Sequence, residues 1–310
     1  MTVLDQITAA IEAQQRPPSP VLKCASDAVL GKMRDAGVEV LGLLFYGSRL
    51  RAADDCSKMV DLYVLIDRLD DMHRTRIRRT ASHLFPPDVF MLKTSGPHGE
   101  EVAIKYAVIT LSAFQRLAQS PLGTSIWGRF TQATQLIAPR SDAIRREIIS
   151  TLALCVSKFA KEVEGLHPDT APVEVFFAEG LAQSYRTELR SEKPYERALS
   201  IVRSEQAWFD AMMQAVYGDP DTDGRFTMPP NRDASGAKRL WLLRRLTGKP
   251  ISVFRLIKAA LTFENGVDYA LEKLEKHSGV RLELTESQRR RPLLWSPVLL
   301  WKALKSGALH

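Results

Sequence analysis

Two stretches, Leu43-Leu-Phe-Tyr-Gly-Ser-Arg49 and Asp61-Leu-Tyr-Val-Leu-Ile-Asp67, decide the reading of this chain. Each is an apolar and aromatic run of strand length. The first ends on Gly47-Ser48, and twelve residues separate Ser48 from Asp61 at the start of the second. Glycine lets a backbone approach a phosphate closely, and a serine hydroxyl with neighbouring N–H groups can hold one. An acid on the adjacent strand can hold Mg2+, which neutralises charge where phosphorus is attacked. The plainer alternative is a strand that ends in a glycine turn.

Outward from this pair, residues 2–14 and 22–36 carry helical spacing (Val3, Ile7, Ile11, then Leu22, Val29, Met33). The breaker Arg16-Pro-Pro-Ser-Pro20 separates them. Val38–Phe45, Met59–Ile66, Asp88–Leu92 and Val102–Thr110 are strand-like, and the basic segment Met72–Leu84 between the second and third is helical. Strands alternating with helices predict an α/β (α+β) domain with a mixed sheet over residues 1–141. After that, Ala143–Glu164, Pro172–Leu189 and Tyr195–Val216 predict long helices. Turn-rich links follow at Gly218–Gly224 and Met228–Asp233, and basic and aliphatic residues then alternate through Leu240–Leu261. This part, 142–288, is expected to be a mainly helical domain, with 289–310 as a basic, apolar tail.

The composition, 45% hydrophobic and 25% charged over 310 residues, suits a chain that buries a core. No apolar run reaches the roughly 20 residues that span a bilayer. The first residues carry Asp5 and Glu12 and lack a signal layout, so a cytoplasmic protein is expected. Cys24, Cys56 and Cys155 have no paired spacing, and the six histidines form no HxxxH or HExxH. A disulfide framework and a zinc site are therefore not expected. The net charge of +7 calls for an anionic partner: nucleotide, nucleic acid or an acidic membrane surface. Cations concentrate after residue 235, as Lys238, Arg239, Arg244, Arg245, Lys249, Arg255 and Lys258. They are not interleaved with aromatics as in a stacking platform, so nucleic acid is not the expected partner.

A strand, Gly-Ser, a short excursion and an acid-bearing strand together resemble the nucleotidyltransferase superfamily. Its second strand usually carries two acids at alternate positions, whereas Tyr63 occupies the second position here. Asp67 shares the parity of Asp61 but lies six residues on, about 20 Å along an extended strand, too far to share one ion. The same departure is similar to one branch, the mitochondrial-type phosphatidate cytidylyltransferases or translocator-maintenance family. That branch has Tyr-Gly-Ser, a strand opening on a single Asp, and a second Asp six positions later. Ile104-Lys-Tyr-Ala-Val-Ile109 is similar to its Ile-Lys-Tyr-Gly-Val strand, and Trp127-Gly-Arg-Phe-Thr-Gln132 to its Gly-Arg-Leu-Gln-Lys stretch. Ser184-Tyr-Arg-Thr-Glu-Leu-Arg190 is similar to its Ser-Tyr-x-Gly-Asp-x-Arg segment. Order and spacing agree over residues 43–190. Departures are Arg49, Ala107 and Thr187, where the family has Gly, and Glu188, where it has Asp.

The resemblance implies a CTP:phosphatidate cytidylyltransferase that makes CDP-diacylglycerol and pyrophosphate with Mg2+. It implies Gly47 and Ser48 at the triphosphate and Asp61 as principal metal ligand, with Asp67 as a second candidate. Lys105 and Glu188 would act in catalysis, and Lys105, Arg129, Tyr185 and Arg190 would bind nucleotide or phosphate. The plainer readings are an exposed strand lysine at 105, a strand end at Asp67 and a surface ion pair at Glu188 and Arg190. Alternatives in function are a nucleotidyltransferase with another acceptor (small molecule, protein or RNA), or a membrane-bound pseudoenzyme suggested by Tyr63.

In the tail, Leu293-Leu-Trp-Ser-Pro-Val-Leu-Leu-Trp301 is flanked by Arg289, Arg290, Arg291, Lys302 and Lys305. This suits an interfacial anchor, with Trp295 and Trp301 at headgroup depth on the cytoplasmic membrane face; a tail folded onto the core is the alternative. Truncation after Gln288 should leave a folded protein that no longer sediments with vesicles containing acidic lipid. Each cation at such a surface is worth about 1 kcal/mol, so binding of the full chain should weaken, without vanishing, as salt rises. Unchanged sedimentation of the truncated protein would place any membrane contact elsewhere.

Overall fold

Alternation along the two deciding runs gives each strand two different apolar faces, and the fold covers both. A computed structural model of the chain describes residues 1–47, 59–69, 72, 76–188, 193–230 and 233–262. Its main sheet contains β1 (Val40–Tyr46), β2 (Val60–Ile66), β3 (Asp88–Ser95), β4 (Glu101–Thr110) and β5 (Thr134–Ile137) in the order β3-β4-β2-β1-β5. β2 pairs parallel with β4; the other neighbours are antiparallel. The sheet is thus mixed, as expected, and β5 completes an edge that the sequence reading lacked.

Leu43, Phe45, Leu62, Val64, Ile104 and Val108 form one face and bury Val21, Leu22, Ala25, Val29 and Met33 of helix α2 (Pro20–Asp35). That helix starts on Ser19, whose hydroxyl accepts from Leu22 N–H, with Pro20 in its first turn. The intervening residues Leu44, Tyr46, Tyr63, Leu65, Ala107 and Ile109 form the other face. Against it lie α1 (Val3–Ala13) and, after α3 (Arg76–Leu84), the helices α4 (Leu111–Ala118), α5 (Trp127–Phe130) and α6 (Asp142–Glu164). Behind these come α7 (Val173–Arg186), α8 (Pro194–Ser204) and α9 (Gln206–Tyr217), while β6 (Thr170–Pro172) and β7 (Arg225–Thr227), which flank these helices in the chain, form a small antiparallel pair. A sheet covered on both faces explains why β1 and β2 read as nearly continuous apolar runs.

The compositional change near residue 141 does not separate two cores. Ile7 and Ile11 of α1 share one cluster with Ile148 and Leu152 of α6 and with Phe209 and Met213 of α9. The expected single helix over Tyr195–Val216 is two, because Glu205 leaves helical geometry (φ −128, ψ 33). Its carboxylate accepts from Ala133 N–H, and Trp208 then reaches the Thr131 carbonyl at 2.9 Å. Helix α10 (Ala234–Thr262) runs through Pro250. Among the described residues no helix is long and apolar enough to cross a membrane; the tail with Trp295 and Trp301 lies outside them.

Two helical glycines make opposite predictions. A Cβ on Gly31 of α2 would meet nothing within 4 Å, so Gly31→Ala should stabilise the fold by about 0.5–1 kcal/mol through helix propensity. A Cβ on Gly180 of α7 would overlap the buried Phe159 ring and the Val163 side chain. Gly180→Ala should therefore cost about 1–3 kcal/mol in spite of the same propensity gain. Denaturant melts of both variants check the pair, and a stabilised Gly180→Ala would contradict the packing.

Candidate active site

The site grows from strand register. Antiparallel pairing sets Tyr46 of β1 opposite Asp61 of β2, and parallel pairing sets Asp61 opposite Lys105 of β4. Tyr46, Asp61 and Lys105 therefore form one row across three strands, on the face turned toward the helices. At the end of β1, Gly47 takes φ +93, and a Cβ there would lie 3.2 Å from Asp61 Oδ2. The chain thus turns directly over the carboxylate. Lys105 Nζ stands 3.8 Å from Asp61 Oδ1, with the two side chains 24% and 26% exposed. That separation is beyond a hydrogen bond, so the two form a loose ion pair.

Aromatic rings floor the neighbouring row. Tyr63 meets Tyr46 edge-on at 5.4 Å and Phe130 at 5.0 Å. Arg129 lies over both tyrosines, 5.3 Å from the Tyr46 centroid and 6.0 Å from that of Tyr63. It donates from Nη1 to Tyr46 Oη at 3.1 Å, and its Nη2 is 3.9 Å from Glu188 Oε1. Burial pushes the Tyr46 hydroxyl well above the ordinary phenol range, with Arg129 opposing and Asp61 reinforcing the shift. Burial also raises Tyr63. Both phenols stay protonated at neutral pH and serve as a platform and hydrogen-bonding groups, not as bases.

The segments that hold Arg129 and Glu188 meet at a close contact between helices. A Cβ on Gly128 would overlap Ser184 Oγ, so α5 can approach α7 only with glycine at 128. Thr124 and Thr187 are joined through their hydroxyls at 2.7 Å, and Thr187 also donates to the Ser184 carbonyl. Arg129 and Glu188 are the residues next to these contacts. A further cation, Arg255 of α10, is half-buried and has Tyr63, Glu188 and Arg129 as its electrostatic neighbours.

The structure thus brings together Gly47, Asp61, Lys105, Arg129 and Glu188. It does not bring Asp67 to them. Asp67 follows the far end of β2, exposed, beyond the pairing of Ile66 with Val40, whereas Gly47 lies beside the near end. Asp67 therefore stands apart from Asp61, as their six-residue separation along the strand requires. Tyr185 is buried in the core, 6% exposed, rather than displayed beside Glu188. Ser48 and Arg190 lie outside the described residues. Tyr46, Tyr63 and Arg255 were not assigned from sequence; only the apolar choice at 63, where an acid is usual, signalled that this position does something else.

Among the described residues no three His, Cys, Asp or Glu side chains gather into a metal cage. Mg2+ commonly takes one or two carboxylates and completes its shell with water and substrate phosphate. A partly exposed Asp61 under a glycine turn fits an ion of that kind. No protein-family model matches the chain, and no curated protein matches it.

Gly47→Ala should cost about 1–2 kcal/mol, since an L side chain at this positive φ is strained, and it should crowd Asp61. Chemical denaturation and Mg2+-dependent nucleotide binding, measured together, check this. Unchanged stability and affinity would mean that the turn is not fixed by its glycine.

Proposed function

We propose that this chain is a nucleotidyltransferase, and that its reaction joins CTP to phosphatidate, giving CDP-diacylglycerol and pyrophosphate. The observation that carries the reading is the Tyr46–Asp61–Lys105 row beneath the Gly47 turn, with Arg129 and Glu188 delivered to its side. Cations and carboxylates gathered round a tight backbone turn suit a nucleoside triphosphate. The choice of CTP and phosphatidate rests on the four segments that resemble the cytidylyltransferase family, and the +7 charge agrees with two anionic substrates.

In this reaction a phosphatidate phosphate oxygen forms a bond to the α-phosphorus of CTP. The bond from that phosphorus to the β-phosphate oxygen breaks, and pyrophosphate leaves. The attacking phosphate is already ionised near neutral pH, so no strong general base is needed, and the protonated Tyr46 and Tyr63 are compatible with that. Bound Mg2+ would supply charge neutralisation at the α-phosphate, held by Asp61. Lys105 and Arg129 would hold the polyanion, and the turn at Gly47 would fix its position. Peripheral attachment to the cytoplasmic membrane face, through the basic tail, would give access to the lipid.

A second reading, a binding protein without turnover, is favoured by Tyr63, whose buried ring takes the place of a second acid. One assay separates the two. Purified protein is given Mg2+, phosphatidate in detergent and each of the four nucleoside triphosphates in turn, and pyrophosphate release is followed. CTP should support release. Asp61→Asn should lower turnover by about 100-fold or more, in line with the roughly 3 kcal/mol lost when an electrostatic stabiliser is removed, with little change in melting temperature. Lys105→Ala should lower it as well. Wild-type turnover in Asp61→Asn would reject the nucleotidyltransferase reading, and nucleotide binding without release would select the second one.

A further inference from the structure

Helix α10 carries several cations against the protein: Arg244 and Lys258 form ion pairs, and Arg245 donates to Gln183 Oε1. Arg244 is fully buried between the rings of Trp127 and Trp241, at 5.2 and 4.7 Å, and pairs with Glu162 at 2.6 Å. Lys258, 7% exposed, reaches the buried Asp88 at 2.9 Å and donates to the Pro87 carbonyl at 3.0 Å. Both are paired with a carboxylate and donate to a backbone carbonyl, Arg244 from Nε to Pro121 at 2.9 Å, although the buried Arg244 Nη atoms have no further acceptor among the described residues.

Arg255 differs from both. It lies one turn before Lys258, and its neighbour Phe254 stacks on Phe85 at 5.5 Å, so the helix is anchored on both sides of it. Its Nε is buried and has no hydrogen-bond partner among the described residues. Burial pushes this guanidinium below its ordinary range, with Tyr63 and Glu188 opposing the shift and Arg129 adding to it. An arginine nevertheless keeps its charge in a protein. Glu188 is already the partner of Arg129, which in turn is engaged with Tyr46. Two guanidinium groups therefore converge near one carboxylate, at the edge of the row that holds Asp61 and Lys105.

The geometry points to Arg255 as a phosphate receptor of the site, supplied by α10 and absent from every motif of residues 43–190. This inference rests on the nucleotidyltransferase reading for its substrates. A guanidinium presents paired N–H donors that match two oxygens of a phosphate, and it is held here at a fixed place with a donor unspent. Two sources offer that chemistry: the polyphosphate of the nucleotide and the monoester of the acceptor. A buried guanidinium donor with no acceptor is a burden on folding that ligand binding relieves, so removal of Arg255 differs in signature from removal of an ion pair.

The experiment uses the full-length protein as wild type, Arg255→Met, Arg255→Lys and, as control, Arg244→Met. Calorimetry measures binding of inorganic pyrophosphate and of CTP with Mg2+, pyrophosphate release gives KM for a short-chain, water-soluble phosphatidate, and thermal melts give stability. Arg255→Met should keep or raise the melting temperature, whereas Arg244→Met should lower it. Arg255→Met should also weaken one phosphate ligand about tenfold or more, the scale of a lost charge-assisted hydrogen bond, and Arg255→Lys should recover part of that loss. Weaker pyrophosphate and CTP binding would assign the receptor to the nucleotide; a raised phosphatidate KM with unchanged CTP binding would assign it to the acceptor. Unchanged affinity for all three ligands in Arg255→Met, or a melting temperature that falls as for Arg244→Met with affinities intact, would overturn the proposal. If the wild-type protein releases no pyrophosphate with any nucleotide yet binds pyrophosphate through Arg255, the function fails while the receptor stands.

Discussion

Glycine at 128 lets α5 lie directly against the Ser184 side chain of α7, where a Cβ would fall 2.3 Å from Ser184 Oγ. Its consequences reach well beyond packing. Arg129 is the next residue on α5, and Glu188 lies one turn past Ser184, so the closeness of the two backbones sets the distance between a guanidinium and a carboxylate. The hydroxyl bridge from Thr124 to Thr187 locks the same junction from the other side. On the buried flank, Trp127 packs on Phe159 and Trp241. If α5 were displaced outward by the width of a methyl group, Arg129 would leave the rings of Tyr46 and Tyr63, and the helical half would lose its hold on the sheet row. A small residue in the core thus decides whether charges from distant segments meet.

The charges rest on rings rather than on a second acid. With an acid at 63, Asp61 would have a like charge two residues along the same face, and a pair of that kind holds a metal ion tightly only by paying repulsion when empty. The tyrosine instead gives Arg129 an aromatic surface and joins a stack with Tyr46 and Phe130. Among the described residues, Lys105 and Arg129 thus lie near the single carboxylate of β2. This is a physical reason why a fold with one acid on β2 can still be suited to phosphate chemistry.

How much of this was legible in the sequence follows from the range of each interaction. β1, β2, β3 and β4 were readable because their alternation is local, and Gly47 and Asp61 because they end and begin such runs. The row that joins Asp61 to Lys105 needed the parallel pairing of β2 with β4; no spacing in the chain states that partner. The distance of Asp67 from Asp61 was legible, because six residues of one extended strand separate them. The break at Glu205 was hidden because its cause is an acceptor for Ala133 N–H, more than seventy residues away. Arg255 was illegible because cations recur throughout Leu240–Leu261, and only tertiary placement sets it beside Tyr63, Arg129 and Glu188.

Helix α10 connects the sheet to the helical layer. Arg244 ties it to Glu162 of α6 and to the tryptophans around α5, Gly248 packs on the Thr187 backbone at the end of α7, and Lys258 ties it to Asp88 at the start of β3. Breaking either buried pair would strand a charge, a change that typically costs about 3–5 kcal/mol, so the helix is fastened at both ends of its inward face. Between those fastenings it passes the corner where Tyr63, Arg129 and Glu188 meet. The residues that most resemble a phosphate-binding motif lie before residue 110, yet their surroundings are completed by a helix that begins at residue 234. The strand motif can mark the site, but its charge balance is a property of the whole described chain, because the elements that set it are held in place by one continuous core and by buried ion pairs that span it.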